Sequence, residues 1–381
     1  MFRILTAGES HGPLGSVIID SLPAGLAIDI DYINNELKRR QHGYGRGARM
    51  KIEQDSVEIY SGVRFGQSTG APVLLTVVNR DHNNWKENMS INKVQASQAV
   101  TAARPGHADL SGALKYGRDD IRDILERASA RETVLRTAAG ALCKLFLQEF
   151  GIKIFSRTIA IGSINVQKEI RGSSEIESSR LRCADPDAET EMIKLIEQYG
   201  EIGDSLGGIT EIIADNVCIG LGSYVQYDRR LDGLIGQAML SIPSVKGVEI
   251  GPASENSSLA GSLVHDEIFH DQEKGFFRKT NRAGGIEGGI SNGQPICVRL
   301  AIKPIPTLKK PLHTVDIKTK QACSAQKERA DVCVVPAVGV IAEAMLAIVL
   351  TNVFLDKFGS DSLLDIKSVF KVYQSRIANG K

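Results

Sequence analysis

The stretch TVLRTAAGALCKLFLQEF, residues 133–150, decides the fold. Val134, Leu135, Ala138, Ala141, Leu142, Leu145 and Phe146 recur at i, i+3 and i+4, which places them on one face of an α-helix. That face is wide and rich in small residues, as expected of a central helix buried between other layers. Period-2 patterns upstream predict strands over 2–7, 16–20, 56–63 and 71–78. A helix is expected over 31–40, with Ile33 and Leu37 on one face and Asp31 as its cap, and a mostly helical pattern over 110–150. Downstream, strands are expected over 152–164, 209–219 and 294–303, and helices over 187–199, 231–242 and 338–358. Strands and helices do not alternate in the regular βαβ manner, so an α+β architecture with antiparallel sheet is favoured over a doubly wound fold. No linker or repeat divides residues 1–381, which read as one domain with a polar, peripheral excursion around 167–199.

Composition narrows the function. The 46 basic and 45 acidic residues nearly cancel, and aromatics are 5% with a single tryptophan, Trp85. A nucleic-acid module would show a basic excess and interleaved stacking aromatics, so that class is disfavoured. The six cysteines are scattered without metal spacing, and reduced core thiols are expected. Residues 332–350 are the most apolar stretch, but Pro336, Gly339 and Glu343 interrupt it, which favours a buried core helix over a membrane span. The opening MFRILTAGESHG lacks the long apolar core of a signal peptide, so a cytoplasmic protein is expected.

Glycine, histidine and arginine concentrate in four places. GESHG (8–12) follows the first strand; His11 there is either a general acid or a turn histidine capping backbone groups. KRRQHGYGRGARMK (38–51) interleaves Arg39, Arg40, Arg46 and Arg49 with three glycines. It reads either as a solvated basic turn or as a loop that holds a small polyanion. Arg104-Pro-Gly-His107-Ala-Asp109 and the later Ser129-Ala130-Arg131 surround charge with small residues, leaving room for a ligand, although Arg131 alone reads as a helix-surface arginine paired near Glu126. The fourth group joins Arg278 to Gly285, Gly288 to Gly293, Lys303-Pro304-Ile305-Pro306-Thr307 and Arg329-Ala-Asp331. Its glycine-rich turns with a Lys and a Thr fit phosphate contacts, but none matches a Walker or dinucleotide pattern.

In order, GESHG, RRQHGYGRGARMKIE, RPGHADL, ERASARET, GGIEGGISNGQP, KPIPTL and RADVCVVPAVG resemble the motifs of chorismate synthases, from Thr6 to about Leu350. The resemblance implies a β-α-β sandwich, with central helices between antiparallel sheets, usually assembled as a homotetramer. It implies a 1,4-anti elimination of phosphate from 5-enolpyruvylshikimate 3-phosphate, giving chorismate, with reduced FMN required although there is no net redox change. By matching motifs, His11, His107 and Asp331 are the catalytic residues. Ser10, Arg40, Arg46, Arg49, Arg104, Ser129, Arg131 and Arg329 would bind substrate. Ser129, Ala130, Arg131, Pro243, Ser244, Gly288, Lys303, Pro304, Ile305, Pro306, Thr307 and Arg329 would contact FMN. An NADPH site, in members that reduce their own flavin, would share Arg40 and Arg46; other members depend on an external reductase. The resemblance leaves Arg39 solvent-facing or structural and gives His42 no catalytic part. One departure is Ala330-Asp331-Val332, where the family often has Ser-Asp-Pro. A rival flavoprotein, such as a flavin reductase on the same fold, would need no such polyanion clamp.

Overall fold

The computed structural model describes residues 2–47, 54–92, 99–167, 173–272, 275–327, 331–359 and 361–378. Two antiparallel sheets enclose a helical layer. In the first, the spatial order is Arg3–Ala7, Leu14–Asp20, Val73–Val78, Val57–Ser61. In the second it is Val245–Ile250, Ile296–Ile302, Gly208–Asp215, Lys153–Ile161, Ile164–Asn165. Each sheet turns alternate residues inward, for example Val73, Leu75 and Val77 in the first and Val298, Leu300 and Ile302 in the second.

The helix expected at the centre spans Thr133–Gln148, and all but Arg136, Leu145 and Gln148 are buried. It packs on the first sheet and, on its other side, on the helix Val335–Phe358, which lies on the second sheet. Small residues set that spacing. A Cβ at Gly140 would lie 2.3 Å from the Cβ of Ala344, so the two helices approach closer there than any larger residue allows. The helix Ile30–Gln41 fills the same layer beside both. Val335–Phe358 is long and apolar enough to cross a membrane, but most of it is buried inside this layer, which makes it the core helix expected from the sequence.

Boundaries moved where a better terminus lay nearby. Asp29, not Asp31, caps the first helix, accepting from Tyr32 N at 2.9 Å; Asp31 sits in the first turn. The last core helix starts at Val335 because Pro336 suits a first turn, where no N–H partner is needed. The polar stretch around 167–199 contributes Ile176, Leu181, Ala188, Met192 and Ile196 to buried positions, with the helix Pro186–Ile202 capped by Asp185.

A charged cluster is buried within the helical layer. Glu343, fully buried, accepts from Lys144 Nζ at 2.5 Å, Arg39 at 2.8 Å, Arg182 at 3.0 Å and Ser156 Oγ at 2.6 Å. Glu36 meets Lys144 and Arg39, and Glu177 meets Arg39 and Arg182. Three carboxylates, of which Glu177 is partly exposed, thus face three cations, the balance that makes burial of such charges tolerable. Arg39 is therefore not solvent-facing; it belongs to this cluster, because the first helix turns it away from Arg40 and toward Glu343.

Candidate active site

A cavity of ≈ 570 Å³ opens where the two buried helices begin, within the roughly 300–1,000 Å³ usual for small-molecule sites. It receives the Ser10–His11 turn, Arg40 from the end of the first helix, Arg46 and Gly47 from the basic loop, and Arg104 with Gly106 to Ala108. It also receives Ser129 to Arg131, Pro243 and Ser244, Lys303 with Ile305 to Thr307, and Asp331. Leu125, Ile242, Val245, Val334, Ala337, Val338 and Ile341 add an apolar wall. The first turns of Thr133–Gln148 and Val335–Phe358 border the space, so their N-terminal dipole ends favour an anion there.

Charge points the same way. Arg40, Arg46, Arg104, Arg131, Lys246 and Lys303 line the cavity, against one carboxylate among the described residues, Asp331. Buried acids behind the wall hold the arginines in place. Asp55, whose side chain is fully buried, accepts from Arg131 at 2.6 Å and Arg40 at 3.4 Å. Arg131 also donates to Asn79 Oδ1 at 2.9 Å, and Arg40 to Thr133 Oγ1 at 3.1 Å. Burial pulls Arg40 down to about 10; Asp55 opposes this, and the nearby Arg131 and Arg46 charges add to it. An anion bound beside Arg40 would relieve that strain.

His107 Nδ1 lies 2.5 Å from Asp109 Oδ1, and Arg104 Nε 2.8 Å from Asp109 Oδ2. An ionised carboxylate only accepts, so Nδ1 carries the proton, and Nε2, 3.5 Å from the Arg104 guanidinium, is the nitrogen open to proton transfer. Burial would raise Asp109, but the hydrogen bonds from His107 and Arg104 outweigh it and hold its carboxyl well below the usual range. Arg104 also reaches Thr307 Oγ1 at 3.2 Å, and Lys303 Nζ donates to Gly106 O at 2.6 Å, which ties the RPGHAD turn to the KPIPT segment. Asp331 accepts from Arg46 NH1 at 2.8 Å and from Gly47 N at 2.5 Å, so the basic loop is strapped to the start of the last core helix. Ser244 adopts φ +72°, an uncommon conformation for a residue with a side chain, at a turn facing the cavity.

A family model described as chorismate synthase matches residues 2–355. The chain is 49% identical to the chorismate synthase of Carboxydothermus hydrogenoformans over all of both chains, and 51% identical to that of Aquifex aeolicus over 98% of each. A crystal structure of chorismate synthase superposes with a TM-score of 0.81 at 42% identity, covering 99% of this chain and 98% of that one. The chain belongs to the chorismate synthase family. Its fold is that of the family, two antiparallel sheets around central helices.

Of the residues assigned from the family motifs, Ser10, His11, Arg40, Arg46, Arg104, His107, Ser129, Ala130, Arg131, Pro243, Ser244, Lys303, Ile305, Pro306, Thr307 and Asp331 line one cavity. Arg131 is buried there rather than on a helix surface. Arg49 and Arg329 lie outside the described residues. Gly288 and Pro304 are not brought into the lining. Gly288 turns the short hairpin Ile286–Glu287/Ile290–Ser291. The glycines before it serve backbone packing: a Cβ on Gly284 would lie 2.3 Å from Gly251 N.

Sequence reasoning missed Asp55, Asn79, Glu126 and Lys246, and gave Trp85 no part. Trp85 stacks on His11 with ring centroids 4.0 Å apart and planes at 26°. Only the His-x-Asp spacing at 107–109 carried a legible signal of a braced histidine.

Proposed function

We propose that this member of the family performs the elimination itself: loss of phosphate and a ring proton from 5-enolpyruvylshikimate 3-phosphate to give chorismate, as a lyase requiring reduced FMN. The observation that carries this reading is the excess, among the described residues, of six cations over one carboxylate around two histidines in a single cavity. The substrate bears two carboxylates and a phosphate on one small ring, and burying that charge would cost too much without cationic partners. Braced arginines suit it because a planar fork fixes each acidic group in one pose.

The residues fit a flavin. An apolar wall suits a flat ring, the two helix starts suit a phosphate, and Ser129, Ala130, Arg131, Pro243, Ser244, Lys303, Ile305, Pro306 and Thr307 would hold it. When bound, reduced FMN supplies electron density that assists departure of the allylic phosphate without net redox change. The chain's own residues do the rest. Arg40, Arg104 and Arg131 orient the ring and neutralise charge as phosphate departs. His11 and His107 each offer Nε2 as a site for a proton, one toward phosphate and the other toward the flavin. Asp331, engaged at both oxygens, would assist on the base side, helping the proton that leaves the ring to be accepted. On this reading the protein is a cytoplasmic homotetramer, and either NADPH at Arg40 and Arg46 or an external reductase supplies electrons.

The direct test is anaerobic assay with reduced FMN, following phosphate and chorismate together. A second result is expected from Trp85. As the only tryptophan and a lining residue, it should lose most of its emission on titration with oxidised FMN. Saturable flavin binding with unchanged emission would place the flavin elsewhere.

A further inference from the structure

Glu126 is 3% exposed and lies on the short helix Arg122–Ala128, outside the cavity lining. It nevertheless grips the Ser10–His11 turn at three points. Its carbonyl accepts from Ser10 N at 3.0 Å, and its Oε2 accepts from His11 N at 2.8 Å. Its carboxylate meets His11 Nδ1 at 2.9 and 3.0 Å. Arg122 donates to the same carboxylate at 3.0 Å while its guanidinium lies 4.8 Å over the Trp85 ring. Trp85 covers one face of the imidazole, and His82 Nδ1 lies 2.8 Å from His11 O.

We propose that Glu126 is the positioning residue of His11: it fixes the proton on Nδ1 and presents Nε2 to the cavity. The chemistry is forced by donor and acceptor roles. An ionised carboxylate can only accept, so the nitrogen facing it must carry hydrogen. Burial would raise the Glu126 carboxyl, but the hydrogen bonds from His11, with Arg122, outweigh it and keep it low and ionised. Of the ring's remaining edges, stacking on Trp85 stops rotation, so the tautomer and the orientation are set together. The arrangement parallels His107 on Asp109, but the acid comes from 115 residues away in sequence rather than two.

This inference rests on the proposed elimination, so its test is arranged to separate the two. Wild-type protein is assayed first; if it forms no chorismate, the functional reading fails. Glu126 is then judged by 15N NMR of the histidine rings in flavin-free protein, with His11 assigned by its loss in His11→Ala. The Nδ1–H form should dominate in the wild type. In Glu126→Gln, whose amide offers both donor and acceptor, that preference should be lost. An unchanged tautomer in Glu126→Gln would overturn the proposal.

If wild-type protein is active, Glu126→Gln should lower kcat by about 10²-fold, the low end of what a placed acid or base contributes, with KM for substrate within about threefold. Glu126→Asp, which keeps the charge at a shorter reach, should fall between. In a His11→Ala background, Glu126→Gln should change kcat by less than about twofold, because the two act as one unit. A full further loss in that background would show that Glu126 is merely structural. Should Glu126→Gln melt below the assay temperature, Glu126→Asp decides alone: an intermediate kcat supports the proposal, and wild-type kcat contradicts it.

Discussion

Replacing His107 with alanine should lower turnover by about 10²–10⁴-fold, the range for removal of a placed general acid or base, while the affinity for oxidised FMN stays within about threefold. The expectation rests on how the residue is held. Asp109 fixes Nδ1 at 2.5 Å, and Arg104 clamps the same carboxylate, so the ring has one tautomer and one orientation toward the cavity. Asp109 keeps Arg104 when His107 is lost, so the fold of the turn should survive and the effect should fall on chemistry. Steady-state kcat and KM, with a flavin titration on the same preparation, check this. Unimpaired turnover would remove His107 from the mechanism. Loss of flavin binding in step with turnover would make it a structural residue.

Glu343→Ala should destabilise the protein by about 3–5 kcal/mol, the usual cost of leaving a buried charge without its partner. Lys144, Arg39 and Arg182 would then face only Glu36 and Glu177, three cations against two carboxylates. Burial would raise the Glu343 carboxyl, but Lys144, Arg39 and Arg182 outweigh it and hold it well below the ordinary carboxylate range. A depressed acid contributes stability that is fully present above its unfolded value, roughly 4.3, and is lost as pH falls through the folded one. Lys144, raised by Glu343 and Glu36 against the pull of burial, contributes stability that is present below its unfolded value and lost only at strongly alkaline pH. Urea unfolding from pH 3 to 8 should therefore show wild-type stability declining below about pH 4, with a shallower acid decline in Glu343→Gln. Equal stability of Glu343→Ala and wild type at pH 7 would mean the cluster is neutral to folding.

The layers were legible because periodicity reports burial directly. The stripe from Val134 to Phe146 is wide and small because it is pressed between a sheet and a second helix, and Gly140 records the closeness of that contact. The loops were legible for another reason: their irregular motifs are family signatures, and sixteen of the assigned residues meet in one cavity. The supporting acids were not. Glu126 looks like any helix glutamate beside arginines, and only the fold brings it to His11. Asp55 sits in a polar turn with no pattern, yet two cavity arginines depend on it. In the glycine-rich turns at 284–293, tight backbone packing accounts for Gly284 and Gly285, while Gly288 has open space where a Cβ would stand. Arg39 and Arg40 are adjacent in sequence and a helical step apart, which sends one to the buried charge cluster and the other to the cavity.

The most direct measurement of the account is a single anaerobic reaction of the purified protein with photoreduced FMN and 5-enolpyruvylshikimate 3-phosphate, recording phosphate, chorismate and flavin absorbance together. Phosphate and chorismate are expected in equal amounts, with many turnovers per flavin and the flavin still reduced at the end. Phosphate without chorismate, or flavin oxidised in proportion to product, would contradict it.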